Sequence, residues 1–107
     1  LNGEPVLTVE AAADALTATV TASATTVGCT TFAATATQGN TLAYKLTAAA
    51  QTAYANGYPG ILTAYSTGAD IPATAGQYLG MYELDKNKRV VKFAVELLEA
   101  ADIKAAT

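Results

Sequence analysis

No histidine and no tryptophan occur in these 107 residues, and cysteine occurs once, as Cys29. The missing histidine removes the commonest general base and the commonest metal ligand together. A lone cysteine excludes an internal disulfide, so packing must hold the fold and the redox compartment stays open. No apolar run reaches the roughly 18–20 residues that span a bilayer as a helix, so no membrane insertion is expected. Six Lys and Arg against nine Asp and Glu give a net charge of −3. That leaves no basic footprint for nucleic acid and no polybasic patch for a membrane surface. The chain has no initiator Met and no signal sequence, and so reads as a mature product or a piece cut from something longer.

Charge is also scarce over most of the length. Lys45 is the only charged residue from Ala15 to Ala69, whereas ten of the fifteen charged residues fall between Glu83 and Lys104. A sheet paved with Thr lacks the charged edges that usually block strand-to-strand pairing. Such a surface tolerates packing against neighbours, in an assembly or a string of repeated domains. It equally suits an extracellular domain whose solubility rests on hydroxyls.

What is present is alternation. The length fits one domain, residues 1–107, with a core of its own. Ala and Thr dominate, interrupted at short intervals by Gly, Asn and Pro, a profile of many short strands. Asn2-Gly3-Glu4-Pro5 leads into a strand over 6–10. Over 16–23, Leu16, Ala18, Val20 and Ala22 alternate with Thr17, Thr19, Thr21 and Ser23, which predicts a strand with the hydroxyls outward. A turn at 25–28 precedes a strand over 30–37, with Phe32, Ala34 and Ala36 on one face. Gln38-Gly39-Asn40 turns the chain again. Over 41–47, Leu42, Tyr44 and Leu46 face in and Lys45 faces out. Residues 48–58 fit a short helix closed by Asn56-Gly57 or a long loop. A strand follows over 61–66, then a turn at 67–70 and an ordered connection over 71–77.

The most legible stretch is 78–95, two alternating apolar runs around a polar cluster, which predicts a β-hairpin. Residues 91–106 hold few helix breakers, but the alternation of Val91, Phe93, Val95 and Leu97 favours a strand, with a short helical turn open at 98–104. If Asp85 faces Arg89, Leu79, Met81 and Glu83 share a face with Val95, Phe93 and Val91. Met81 then meets Phe93, and Tyr82 lies beside Lys92. If Leu84 faces Arg89 instead, Tyr82 and Gly80 lie over Val91 and Phe93, because a one-residue slip changes every partner. The first register is the one expected.

Little here can carry catalysis. No phosphate-binding loop, dinucleotide fingerprint or nucleophile elbow is present. Ser23 and Ser66 have no base nearby in sequence and read as solvent-facing. Cys29 has no neighbouring cation to activate it. Asp85-x-Asn87 begins like a calcium loop, but cations are interleaved, the Gly is missing and no acid follows at the twelfth loop position. No catalytic residue, metal site or cofactor is expected. The six tyrosines are the one hint of recognition, since Tyr is large, stiff and amphipathic. Tyr44 and Tyr82 read as sheet residues, while Tyr54, Tyr58 and Tyr65 form the candidate binding surface.

Six segments together carry a family likeness: Asn40-Thr-Leu-Ala-Tyr-Lys-Leu46, Thr67-Gly-Ala-Asp-Ile71, Ala75-Gly-Gln-Tyr-Leu79, Tyr82-Glu-Leu-Asp85, Lys88-Arg-Val-Val-Lys92 and Ala101-Asp-Ile103. In order and spacing, over roughly residues 16–103, they resemble a small β-domain of surface proteins of Firmicutes-type bacteria and of structural proteins of their phages. Lys88 stands where many members have Gly or a small residue. The resemblance implies a non-enzymatic display or assembly module, outside the cell on a virion or a bacterial surface, with neighbouring proteins or domains as partners. The fold expected is an all-β, immunoglobulin-like β-sandwich of about seven strands ending in the hairpin. The alternative function is a ligand-binding accessory module of a secreted protein, with a glycan as partner.

Overall fold

In the computed structural model, which describes residues 12–55 and 57–106, the period-two stretches become strands of two facing sheets. In chain order these are β1 (Asp14–Ala15), β2 (Thr19–Ala22), β3 (Cys29–Ala33), β4 (Thr41–Thr47), β5 (Thr63–Tyr65), β6 (Ile71–Pro72), β7 (Tyr78–Leu84) and β8 (Val90–Leu97), followed by a 3₁₀ turn at Ala100–Asp102. One sheet has the order β1-β8-β7-β4-β5 and the other β2-β3-β6. Neighbours are antiparallel except β1, which lies parallel to β8. The expected all-β sandwich is present, with eight strands among the described residues, and its C-terminal hairpin sits inside the larger sheet. The strand expected over 6–10 lies outside the described residues. Among the described residues 48–55 and 57–58 there is no helix, so that segment is a loop.

The strand expected over 16–23 divides between the sheets. Asp14 and Ala15 pair with Lys92 and Phe93, and the Leu16 amide donates to the Phe93 carbonyl at 3.0 Å. The chain then crosses, and Thr19–Ala22 pairs with β3. Leu16 is buried at the crossing. Between the sheets it joins Phe32, Leu42, Ile71, Leu79, Met81 and Leu98 in the main apolar core. Tyr65 closes this core from β5. Its ring stacks on Phe32 with centroids 4.1 Å apart. Its hydroxyl accepts from the Phe32 amide at 3.0 Å and donates to the Ala69 carbonyl at 2.6 Å.

The larger sheet is apolar on its other face too. Ala43, Tyr82, Leu84 and Val90 are buried there, packed with Ala13, Ala53, Leu62 and Phe93. The cover is the 48–62 connection, and Gln51 fixes it. The Gln51 carboxamide donates to the Lys45 carbonyl at 3.0 Å and to the Thr47 hydroxyl at 2.8 Å, and accepts from the Tyr82 hydroxyl at 2.6 Å. It lies directly over Gly80, where a Cβ would collide with it. Gly80 therefore opens the sheet face to a polar side chain, as a glycine within a strand does where another group approaches closely. Lys45, expected to face solvent, is half-buried under the same connection and donates to the Pro59 carbonyl at 3.3 Å.

Two buried polar groups depart from the alternation rule. Ser23, expected outward, is only 4% exposed. Its hydroxyl donates to Asp70 at 2.6 Å and accepts from the Thr26 amide at 3.0 Å, while the Thr26 hydroxyl donates to the other Asp70 oxygen at 2.6 Å. These hydroxyls hold the Asp70 carboxyl below its ordinary range. Glu83 is 0% exposed, at the inner end of β7. Oε2 accepts from the Thr37 amide at 3.0 Å and Asn40 Nδ2 at 2.7 Å, while Oε1 has no partner. Burial by itself would raise the Glu83 pKa, but the Asn40 and Thr37 donors and the charge of Lys92 outweigh it, and the net direction is down.

The hairpin follows the expected register only at its tip. The Asp85 amide donates to the Arg89 carbonyl at 3.0 Å, and Leu84 pairs with Val90. A bulge between Glu83 and Leu84 then leaves Val91 over and shifts the rest by one, so Glu83 pairs with Lys92, Tyr82 with Phe93 and Met81 with Ala94. Met81 does not meet Phe93, and Tyr82 does not lie beside Lys92. Neither sequence register describes the strand body. The physical reason is that β7 is buried on both faces from Leu79 to Leu84, so hydrophobicity cannot tell one face from the other. The tip closes with Lys88 at φ 64°, the left-handed residue of a three-residue loop, a position suited to Gly.

Three outcomes follow from this packing. Lys88→Gly should raise stability by about 0.5–1 kcal/mol, because an L-residue pays a steric penalty in the left-handed region; urea unfolding reads it, and Lys86→Gly should not match it. Gly80→Ala should destabilise by about 1–3 kcal/mol by displacing Gln51 from the buried Tyr82 hydroxyl. In a Gln51→Ala background the same change should be near neutral, a coupling that a double-mutant cycle measures. Asp70 and Glu83 both have folded pKa values lowered from ordinary. Their contribution is complete above the unfolded carboxylate range of about 4 and is lost as pH falls through the folded values. Thermal melts of the native chain should therefore decline on acidification below about pH 4, and Asp70→Asn should flatten that decline.

Candidate interaction surface

The connection that covers the sheet also carries Ile61 and Tyr58, the two most exposed large apolar side chains among the described residues. It leaves β4 at Thr47, passes Gln51 over the middle of the sheet, and reaches the hairpin end, where the Val90 amide donates to the Gly57 carbonyl at 2.9 Å. Pro59 and Gly60 then prevent regular pairing before β5 starts at Thr63. Side chains that cannot point into the covered face point out. Tyr54 is 47% exposed, Tyr58 70% and Ile61 95%.

Tyr54 and Tyr58 border one shallow cleft with Thr52, Gly57, Pro59 and Val90. Arg89 lies over the Tyr58 ring, its guanidinium 4.3 Å from the centroid, and donates to the Tyr58 hydroxyl at 2.9 Å. One face of that ring is therefore occupied by a cation, an arrangement favoured by the ring quadrupole. Lys88 lines a second cleft with Pro59, Gly60 and Leu62. The exposed apolar residues and the basic hairpin tip thus form one continuous end of the domain.

The structure brings Tyr54 and Tyr58 together but not Tyr65. The Tyr65 ring stacks on Phe32 and stands edge-on to Tyr44 at 5.6 Å, and burial pushes its hydroxyl pKa up. It is a structural link between the sheets. Tyr82 is enclosed on the outer face, and burial pushes its hydroxyl up to about 12. The sequence places Ile61 at the start of a strand, whereas β5 begins at Thr63 and Ile61 stands outside it, 95% exposed. The signal available was Pro59-Gly60 immediately before it, which separates Ile61 from the ladder.

Chemistry is sparse around this surface. Among the described residues no group of three or more His, Cys, Asp or Glu is placed to hold a metal ion. Cys29 is buried. Ser23, enclosed and bonded to Asp70, faces no imidazole or amine base. No helix among the described residues is long and apolar enough to cross a membrane.

Comparison with known proteins agrees with the fold. The family described as S-layer protein SbsC C-terminal domain matches residues 9–101. Among solved structures, the chain is similar to domains 7, 8 and 9 of the S-layer protein SbsC, with a TM-score of 0.74 and 27% identity over 88% of this chain and 31% of that one. It is also similar to a structure of domains 4–9 of the surface layer protein SbsC, with a TM-score of 0.70 and 26% identity over 87% of this chain and 15% of that one. The chain thus spans less than a third of either structure. No curated protein matches it. With the family matched over most of its length and the fold shared with solved members, the chain belongs to the family of S-layer protein SbsC C-terminal domains.

Proposed function

We propose that this chain is a non-catalytic structural module of a bacterial surface layer, packed against neighbouring domains or subunits at the cell surface. The observation that carries the reading is the family match over residues 9–101. Its relatives are S-layer domains, and they favour the bacterial surface over the virion. Among the described residues one sheet edge supports a packing role. β1 and β6 have two residues and β5 has three, so these edges are blunted by shortness. β2, the longest edge at four residues, is Thr-Val-Thr-Ala and carries no charge to repel a neighbour. Natural sheets more often protect such edges with Lys or Pro.

In this reading Tyr54 and Tyr58 are contact residues for another protein surface. Immunogold electron microscopy on intact cells, with antibody raised against this chain, tests the proposal. A regular surface label is expected, lost together with layer order when the coding segment for this chain is deleted. Label confined to the cytoplasm would overturn it.

A further inference from the structure

The two ends of the larger sheet differ in charge and in relief. At the hairpin tip, Lys86, Lys88 and Arg89 accompany one carboxylate, Asp85, whose Oδ1 accepts from the Asn87 and Arg89 amides at 2.8 and 3.0 Å. The exposed Tyr58 bonds to Arg89 of this tip, and Ile61, 95% exposed, stands between Gly60 and Leu62, which line a cleft with Lys88. At the far end of β8, Glu96, Glu99 and Asp102 accompany one cation, Lys104. Burial and the charges of Asp102 and Glu99 push the Glu96 pKa up, so these acids repel one another in the isolated chain. Beside them runs a shallow, mostly apolar groove of about 330 Å³, between Ala73, Thr74 and Ala75 on one wall and Ala100, Ile103 and Lys104 on the other.

β8 separates the two ends by eight residues, roughly 25 Å at the strand rise of about 3.3 Å per residue. That is about three Debye lengths at physiological salt. Each end therefore presents its own potential to an incoming surface. The basic, protruding end is opposite in sign to the acidic end, which carries a groove.

We propose that copies of this chain associate head to tail, with Ile61 and Tyr58 of one copy seated in the groove beside Ala75 and Ala100 of the next, and Lys86 and Lys88 facing Glu96 and Glu99. Contacts of this kind are heterologous and propagate into a row rather than closing as a dimer. The proposal rests on the packing role proposed above and names the partner and the surfaces. A single contact of this size is weak. Repetition along a row or a tether between domains raises its effective concentration without new contacts.

Sedimentation velocity of the 107-residue chain tests it. The weight-average mass should rise with concentration past the dimer at low salt, and high salt should weaken the association by at least about tenfold. Two blocked variants make the geometry decisive. Ile61→Ser with Lys88→Gln removes the protruding end without adding acid, and Glu96→Lys with Glu99→Lys reverses the recessed end. Each variant alone should stay monomeric. An equimolar mixture should form dimers and stop there, because one native end of each kind remains. All four substituted side chains are exposed, and unchanged unfolding midpoints verify the fold. Ile61→Ser, which only trims an exposed side chain, should by itself weaken association about tenfold. A native chain that stays monomeric at every concentration, or a mixture that does not dimerise, overturns the proposal. If the chain nonetheless labels an ordered layer on cells, the surface-layer reading stands and only this contact falls. Absence of the label removes that reading whatever the mass measurements give.

Discussion

Tyr65 is the constraint on which the two sheets depend. There is no disulfide to join them, because Cys29 has no partner. The ring of Tyr65 comes from the edge strand β5 and stacks on Phe32 of the opposite sheet. Its hydroxyl satisfies the Phe32 amide and the Ala69 carbonyl, joining β3 to the turn that precedes β6. One side chain thus supplies apolar area to the core and saturates backbone groups that the short ladders leave over. A buried amide without such a partner would be destabilising by about 1–3 kcal/mol. Asp70 strengthens the same corner, since its carboxylate ties the β2–β3 turn through Ser23 and Thr26.

A second dependence runs through Gly80. The larger sheet carries apolar residues on both faces, and its outer face would be exposed unless something lay across it. The 48–62 connection does so because Gln51 can descend onto a strand residue without a side chain. Once Gln51 is seated, Lys45, Thr47 and Tyr82 have hydrogen-bond partners that water would otherwise supply. The same seating carries the chain to the hairpin tip, where Gly57 meets Val90 and Tyr58 meets Arg89. The exposed surface is in this sense a product of how the sheet is covered.

Alternation was legible where one face was wet, although the strand expected over 30–37 ends at Ala33. Leu16, Ala18, Val20 and Ala22 are buried or half-buried, while Thr17, Thr19 and Thr21 are exposed, as period two requires. β4 has the bounds its alternation implies. Legibility stopped where burial became two-sided. On β7 the bulge at the hairpin is invisible to alternation, so the strand-body register could not be read. It stopped also where a polar side chain found a distant partner. Nothing local to Ser23 points to Asp70, forty-seven residues on, and nothing near Glu83 points to Asn40. Of the candidate surface, Tyr54 and Tyr58 were reached from tyrosine chemistry and loop position. Tyr65 was not separable from them, because a strand-edge Tyr looks the same in sequence whether it turns in or out. Ile61 was overlooked because an apolar residue beside a strand is ordinarily counted into it.

These limits explain where the domain keeps surface for partners. Both faces of the larger sheet are used internally, one by the second sheet and one by the 48–62 connection. What remains is the short edges and the two ends of β7 and β8. Short, uncharged edges offer backbone groups but little area, and a few ladder bonds carry little sequence information. The ends hold most of the chain's charge, of opposite sign at the two poles, and include Tyr58 and Ile61, the most exposed large apolar side chains among the described residues. Specific contact with a neighbour is therefore favoured at the ends, where apolar relief supplies affinity and opposed charge supplies direction. On the proposed packing role, such contacts lie outside the core, and the opposed charges of the two ends would orient a neighbour without repacking the sheets.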